Sequence, residues 1–181
     1  MNLVTSQLPA SRWLDLCSGS GVMGCEALKR GASLVFAVER DKKTSRICEA
    51  NLQATSKGLD HAHKIRIIHQ DLLKWLRVGR TTQSLHCKDI ETEGFNLVYL
   101  DPPYRSRIYE PTLHALHQGD WLKKNAVVVC EHNVELMFKP PQGWQQLDHR
   151  IYGSSAILLL SPPGHYLACT DSKPLQIGPT M

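Results

Sequence analysis

Apolar runs of strand length alternate along this chain with stretches whose apolar positions recur every three or four residues. Residues 13–17 form the first apolar run and end in Ser18-Gly19-Ser20-Gly21. Residues 22–30 follow with helical spacing, with Met23, Ala27 and Leu28 on one face and Gly31 as the stop. Leu34–Glu39 has no polar alternation, as a strand covered on both faces requires. Asp41 can cap the next helix, whose apolar positions Ile47, Cys48 and Leu52 run toward Gly58. A strand at 65–69 and a short helix at 72–78, opened by Asp71, make a third unit. The polar, aperiodic segment 79–94 reads as a long surface loop. A strand at Phe95–Leu100, a helix at 109–117 and a very apolar strand at 126–131 follow. After the turn Lys139-Pro140-Pro141-Gln142-Gly143, the runs 144–152 and Ser155–Ser161 predict an antiparallel hairpin on the sheet edge.

Repeated strand–helix alternation predicts an α/β fold, a Rossmann-like, doubly wound and mostly parallel sheet with a C-terminal antiparallel hairpin. One domain over 1–164 is expected, with a disordered tail at 165–181 where Gly and Pro replace apolar residues. In such sheets ligands bind outside the carboxyl ends of the strands. Gly19, Ser20, Gly21, Glu39, Asp71 and Asp101 all fall at such ends, so a single site is expected to collect them.

Gly19-Ser20-Gly21-Val22-Met23-Gly24 matches G-x-G-x-x-G between a strand and a helix, and Glu39 lies about 20 residues on. By pattern alone this is a dinucleotide fingerprint, and charge decides against it. A pyrophosphate over the turn would face Asp15, and two like charges roughly 4 Å apart cost about 4 kcal/mol at an effective dielectric near 20. S-adenosylmethionine instead carries an ammonium and a sulfonium, which suit Asp15. Glu39 is placed to accept from the ribose hydroxyls, with Arg40 beside the adenosine. Asp71, with Leu72 next to it, is placed to meet the adenine amine or to serve as a helix cap, and it can do both.

Asp101-Pro102-Pro103-Tyr104 closes the fourth strand. Two consecutive prolines fix the backbone and remove two amide donors, leaving the Asp101 carboxylate and the Pro102 carbonyl as acceptors. Two acceptors can hold both hydrogens of an exocyclic base amine and aim its lone pair at a methyl donor. Tyr104 offers a ring face for the base, worth about 1–3 kcal/mol in stacking. A base within a helix must be flipped out to reach such a site, or be unpaired already. Arg105 and Arg107 follow directly, as phosphate contacts or as solvated rim charges.

The chain has 181 residues and a net charge of +4, which permits a phosphate-rich partner without demanding one. No apolar run is long enough to cross a bilayer, and no secretory leader is evident, so a cytoplasmic protein with no membrane partner is expected. Six scattered cysteines without a C-x-x-C pair argue for reduced thiols and give no basis for a metal.

Leu14-Asp15-Leu16-Cys17-Ser18-Gly19-Ser20-Gly21, followed by Gly24-Cys25-Glu26-Ala27-Leu28-Lys29-Arg30-Gly31-Ala32, resembles the RsmD-type family. The Asp101–Tyr104 motif, Trp121-Leu122 and Glu131 resemble it too, over residues 11 to 161. The resemblance implies a class I S-adenosylmethionine-dependent methyltransferase acting on guanine N2 in small-subunit (16S) ribosomal RNA, as naked RNA or an assembly particle, and a monomer. It also implies that the chain is shortened at its N-terminus, because the roughly ten residues before the first strand match neither the upstream hairpin nor the basic segment of the family. Two alternatives stay open at this point: an adenine-N6 methyltransferase on DNA or RNA, and a non-catalytic nucleic-acid-binding relative.

Overall fold

A computed structural model describes residues 2–84, 93–103, 106–136 and 138–164. Seven strands form one sheet in the order β3-β2-β1-β4-β5-β7-β6. The strands are β1 (Arg12–Leu16), β2 (Leu34–Glu39), β3 (Lys64–His69), β4 (Phe95–Leu100), β5 (Leu122–Asn133), β6 (Gln145–Tyr152) and β7 (Ser155–Ser161). The first five are parallel, and β7 inserts antiparallel between β5 and β6. The doubly wound parallel sheet with a terminal antiparallel hairpin is therefore as expected. The order reverses between β1 and β4, which opens the crevice where ligands of such sheets bind.

Helices α1 (Val22–Lys29) and α2 (Lys42–Lys57) cover one face, and α3 (Leu72–Arg77) and α5 (Tyr109–Gln118) cover the other. Ala27, Leu28, Cys48 and Leu52 pack with Trp13, Val35 and Leu97 in one cluster. Trp75, Leu76, Leu113 and Leu116 pack with Leu14, Phe36 and Val98 in the second. Trp121 lies in that second cluster, fully buried against Trp75, and donates its indole N–H to the Leu76 carbonyl at 2.9 Å. The caps read from sequence are in place: Asp41 Oδ1 accepts from Thr44 N at 2.7 Å, and Asp71 Oδ1 from Lys74 N at 3.0 Å.

Two expectations change, and one element is added. Strand β5 is twice as long as the apolar run 126–131. Its start is paired by Phe95 opposite Leu122, and its end by β7, with Glu131 to Asn133 opposite Ile157 to Ser155. Ladder partners thus recruit polar residues that hydrophobic patterning omits. Within the segment read as loop, Arg80–Ser84 forms a short helix, α4. Arg80 anchors it, donating from Nε to the Asp120 carbonyl at 2.6 Å and from its backbone N–H to Gly119 O at 2.9 Å. Asn2–Gln7 forms a 3-10 helix ahead of β1, and nearby Val4 and Leu8 are buried. The predicted disordered tail 165–181 lies outside the described residues.

Candidate active site

A cavity of about 540 Å³ opens at the carboxyl ends of β1 to β4, within the range of small-molecule sites. Cys17 and Gly19 after β1, Glu39 and Arg40 after β2, Gln70, Asp71, Leu72 and Leu73 after β3, and Asp101 to Pro103 after β4 all line it. Val38, Ser106 and Ile108 complete the wall. The structure thus brings together Gly19, Glu39, Arg40, Asp71, Leu72, Asp101, Pro102 and Pro103, as the sequence predicted.

The turn after β1 owes its shape to left-handed backbone at Cys17 (φ 62°), Gly19 (φ 53°) and Gly21 (φ 80°). Such a conformation costs a non-glycine residue roughly 1–2 kcal/mol, which Cys17 bears. At Gly21 a side chain is excluded twice over, since a Cβ would lie 2.7 Å from Cys48 Sγ. Gly19 has open space at its Cβ position, and its N–H donates to Glu39 Oε2 at 3.0 Å. Glu39 Oε1 accepts from Asp41 N at 2.8 Å, so one carboxylate ties the glycine turn to the start of α2.

Asp15, Ser20 and Gly21 are not at the cavity wall. Ser20 is exposed and its carbonyl accepts from Asn51 Nδ2 at 2.9 Å, while Gly21 is buried at the start of α1. Asp15 is 2% exposed and sits behind the wall, and its Oδ2 has no hydrogen-bond partner among the described residues. Burial above all pushes its carboxyl up to about 7, opposed by the Gly24 backbone N–H and aided by the charges of Asp101 and Glu39. The Cys17 thiol is likewise pushed up to about 12, first by burial and then by Glu39, which disfavours its thiolate.

Asp101 stands at the opposite wall. Desolvation of its carboxyl, then the charge of Glu131, pushes it up to about 6. Glu131 itself is held from two sides: the Tyr99 hydroxyl donates to its Oε2, and the Tyr109 hydroxyl donates to its carbonyl at 2.7 Å. Beyond Asp101, the Ser106 N–H donates to Pro103 O at 2.8 Å. Tyr104 and Arg105, read from the sequence as a stacking ring and a rim charge, lie outside the described residues; Arg107 is exposed.

Sequence reasoning missed Cys17, Gln70 and Leu73 as lining residues. Each lies within four residues after a strand, so the rule that found Asp71 would have found them had it been applied to every position there. Among the described residues no cluster of His, Cys, Asp and Glu fit for a metal occurs, and no helix is long and apolar enough to cross a membrane.

The family model described as "Conserved hypothetical protein 95" matches residues 1–161. The chain belongs to this family. Among its relatives is a ribosomal RNA small subunit methyltransferase D of Haemophilus influenzae, 28% identical over 152 residues, which are 84% of this chain and 72% of the relative. A protein of the same name from Buchnera aphidicola subsp. Acyrthosiphon pisum is 28% identical over 134 residues, 74% of this chain. The chain spans 62% of that relative's length. The solved structure of a putative methyltransferase, YhhF of Escherichia coli, superposes with a TM-score of 0.74 at 25% identity, covering 90% of this chain and 82% of the other. A more distant structure, a putative methyltransferase complexed with SAH, shares the fold at 15% identity with a TM-score of 0.62, covering 88% of this chain and 48% of that one. Family membership and the class I methyltransferase architecture agree with the expectation from sequence.

Proposed function

We propose that this chain transfers a methyl group from S-adenosylmethionine to the exocyclic N2 of a guanine in small-subunit (16S) ribosomal RNA. The observation that carries the reading is one cavity with a glycine turn, Glu39 and Asp71 on one side and the Asp101-Pro102-Pro103 rim on the other. The names of the Haemophilus and Buchnera relatives and the SAH bound in the distant structure support it.

The residues fit the cofactor. The Glu39 carboxylate is pinned by two backbone N–H groups and keeps lone pairs for the ribose hydroxyls. Asp71 uses Oδ1 as a cap and has Oδ2 for the adenine amine. Val38, Leu72, Leu73 and Ile108 supply apolar wall for the adenine, and Arg40 lies beside them. The Oδ2 of Asp15 is a buried carboxyl oxygen behind the glycine turn, and a cation at the methionine end would favour the charged form that burial disfavours. Bound there, S-adenosylmethionine supplies an electrophilic methyl group on a positively charged sulfur.

Asp101 and the Pro102 carbonyl hold the two amine hydrogens, which fixes the nitrogen lone pair toward that methyl group. The raised proton affinity of Asp101 lets it take up the proton that the amine sheds after methylation. Tyr104, directly after Pro103, is the ring on which the base stacks in this scheme. The lining residues all come from one chain, which is in keeping with action as a monomer, and a ribosomal RNA substrate is in keeping with a cytoplasmic protein.

The test is methylation of naked rRNA and of small-subunit particles from cells lacking this modification, with nucleoside mass spectrometry as the readout. N2-methylguanosine is the expected product. N6-methyladenosine would assign the chain to adenine chemistry instead. RNA binding without methyl transfer or cofactor uptake would leave only the non-catalytic relative.

A further inference from the structure

A second, smaller cavity of about 240 Å³ lies on the sheet face that carries α3 and α5. It sits beyond α5, where β5, β7 and β6 meet the segment that follows β5. Leu100 is level with Cys130 in the β4–β5 ladder, so Asp101 continues level with Glu131, and His132 stands one residue further out on the same edge. Neighbouring strands are about 4.8 Å apart, so the His132 wall of the cavity lies one strand from the Asp101 rim and its β6 wall three strands, roughly 14 Å, away.

Three rings, His132, Phe138 and His149, share its walls with the aliphatic Val134, Leu136 and Leu158. His132 is 5% exposed. Its Nδ1 lies 2.8 Å from the Asn133 carbonyl, which can only accept, so Nδ1 carries a hydrogen and donates, while the ring lines the cavity. The His149 ring runs nearly parallel to that of His132, at 5.9 Å and 16°, and Phe138 meets His132 edge-on at 6.0 Å. Ile151, 64% exposed, and Lys139 stand at the opening. Phe138 also packs on Tyr109 at 5.0 Å, and the Tyr109 hydroxyl is bonded to the Glu131 carbonyl. The cavity is therefore mechanically continuous with the catalytic rim.

Three rings set among aliphatic side chains, a histidine edge, a cation at the mouth and a volume below the 300–1,000 Å³ or so of sites for whole small molecules suit a single planar heterocycle. We propose that this cavity is a second base subsite, which takes an unpaired nucleobase of the RNA close to the target nucleotide. Its face stacks on the His149 and Phe138 rings, an N–H of its edge donates to His132 Nε2, and Lys139 meets the adjoining phosphate. The inference rests on the RNA reading of the active site and adds where the flanking strand runs.

The test uses the full chain with naked small-subunit rRNA and the variants His149→Ala and Ile151→Glu, both at exposed positions of β6. Loss of one stacking contact, about 1–3 kcal/mol per base, should raise KM for RNA about tenfold, with kcat and cofactor affinity unchanged. His132→Phe keeps a ring, removes the acceptor and should act in the same direction. Anisotropy with a labelled single-stranded oligonucleotide of the target region reads the subsite independently of transfer. Weaker binding by the variants there supports the subsite even if wild-type transfer fails, a failure that would count against the proposed function alone. Unchanged KM and unchanged oligonucleotide affinity overturn the subsite while leaving N2 methylation by the wild type intact. A defect confined to protein-bearing particles also overturns it, because the occupant would then be a protein.

Discussion

At the mouths of β2 and β3 each carboxylate lining the cavity is tied to backbone, whereas Asp101 at the mouth of β4 accepts no hydrogen bond from a described residue. Glu39 takes N–H groups from Gly19 and Asp41, and Asp71 takes one from Lys74. Asp101 has instead a carboxylate neighbour, Glu131, and a proton affinity raised accordingly. The contrast separates two tasks. A binding surface gains from carboxylates whose orientation is fixed before the ligand arrives, since ordering them on binding would cost affinity. A group that must hold amine hydrogens and then accept a proton needs free lone pairs and a pKa near the working pH. Asp15 lies between the two regions and shares a feature of each, being buried like a structural group and having one carboxyl oxygen, Oδ2, without a partner among the described residues.

The largest expected effect concerns Asp15. Its folded-state pKa is about 7 against an ordinary 3.8, so the folded chain binds this proton more tightly than the unfolded one. The resulting stability is present at low pH and lost as pH rises from about 4 to 7, by as much as about 4 kcal/mol. Asp15→Asn should shrink the difference in unfolding free energy between pH 5 and pH 8 measured in denaturant, and should weaken cofactor uptake in calorimetry. An unchanged pH difference would show that the carboxyl is not strained by burial.

Next is Asp101→Ala. Transfer should fall about 100-fold or more through loss of amine alignment, while cofactor affinity stays at the wild-type value. Single-turnover rates and calorimetry on the same preparation separate the two. Equal losses in both would erase the division between the halves of the edge. Glu39→Ala should do the reverse. Removing a carboxylate that makes charge-assisted hydrogen bonds should lower cofactor affinity about 10- to 100-fold, with kcat at saturating cofactor little changed.

The smallest effect is expected from Glu131→Gln. Transfer should rise with pH through about 6 as Asp101 ionises. Neutralising Glu131 removes the lesser of the two causes of that shift, so the midpoint of the pH–rate profile should move down while burial still holds it above the ordinary carboxylate range. A midpoint that stays fixed would assign the profile to another group.

Most of the edge was readable without coordinates because of where it lies. In a parallel sheet the residue after a strand is delivered to the ligand crevice whatever its chemistry, so Gly19, Glu39, Asp71 and Asp101 could be placed by counting. Asp15 could be placed at the strand's end but not behind the wall, because alternation of side chains along β1 turns it toward Gly24 and the α1 face. Cys17 and Gln70 carry no motif, and only the folded crevice marks them.

The periodicity of apolar residues fixed the number of parallel units, their helices and the motif order, since burying apolar surface is a local demand that each segment carries in its own composition. The tertiary structure alone decided the length of β5, the insertion of β7 beside it, the pairing of Tyr99 with Glu131 and the cavity around His132. These depend on partners distant in the chain, and a hydrogen-bond ladder or a shared electrostatic field exists only once both partners are in place.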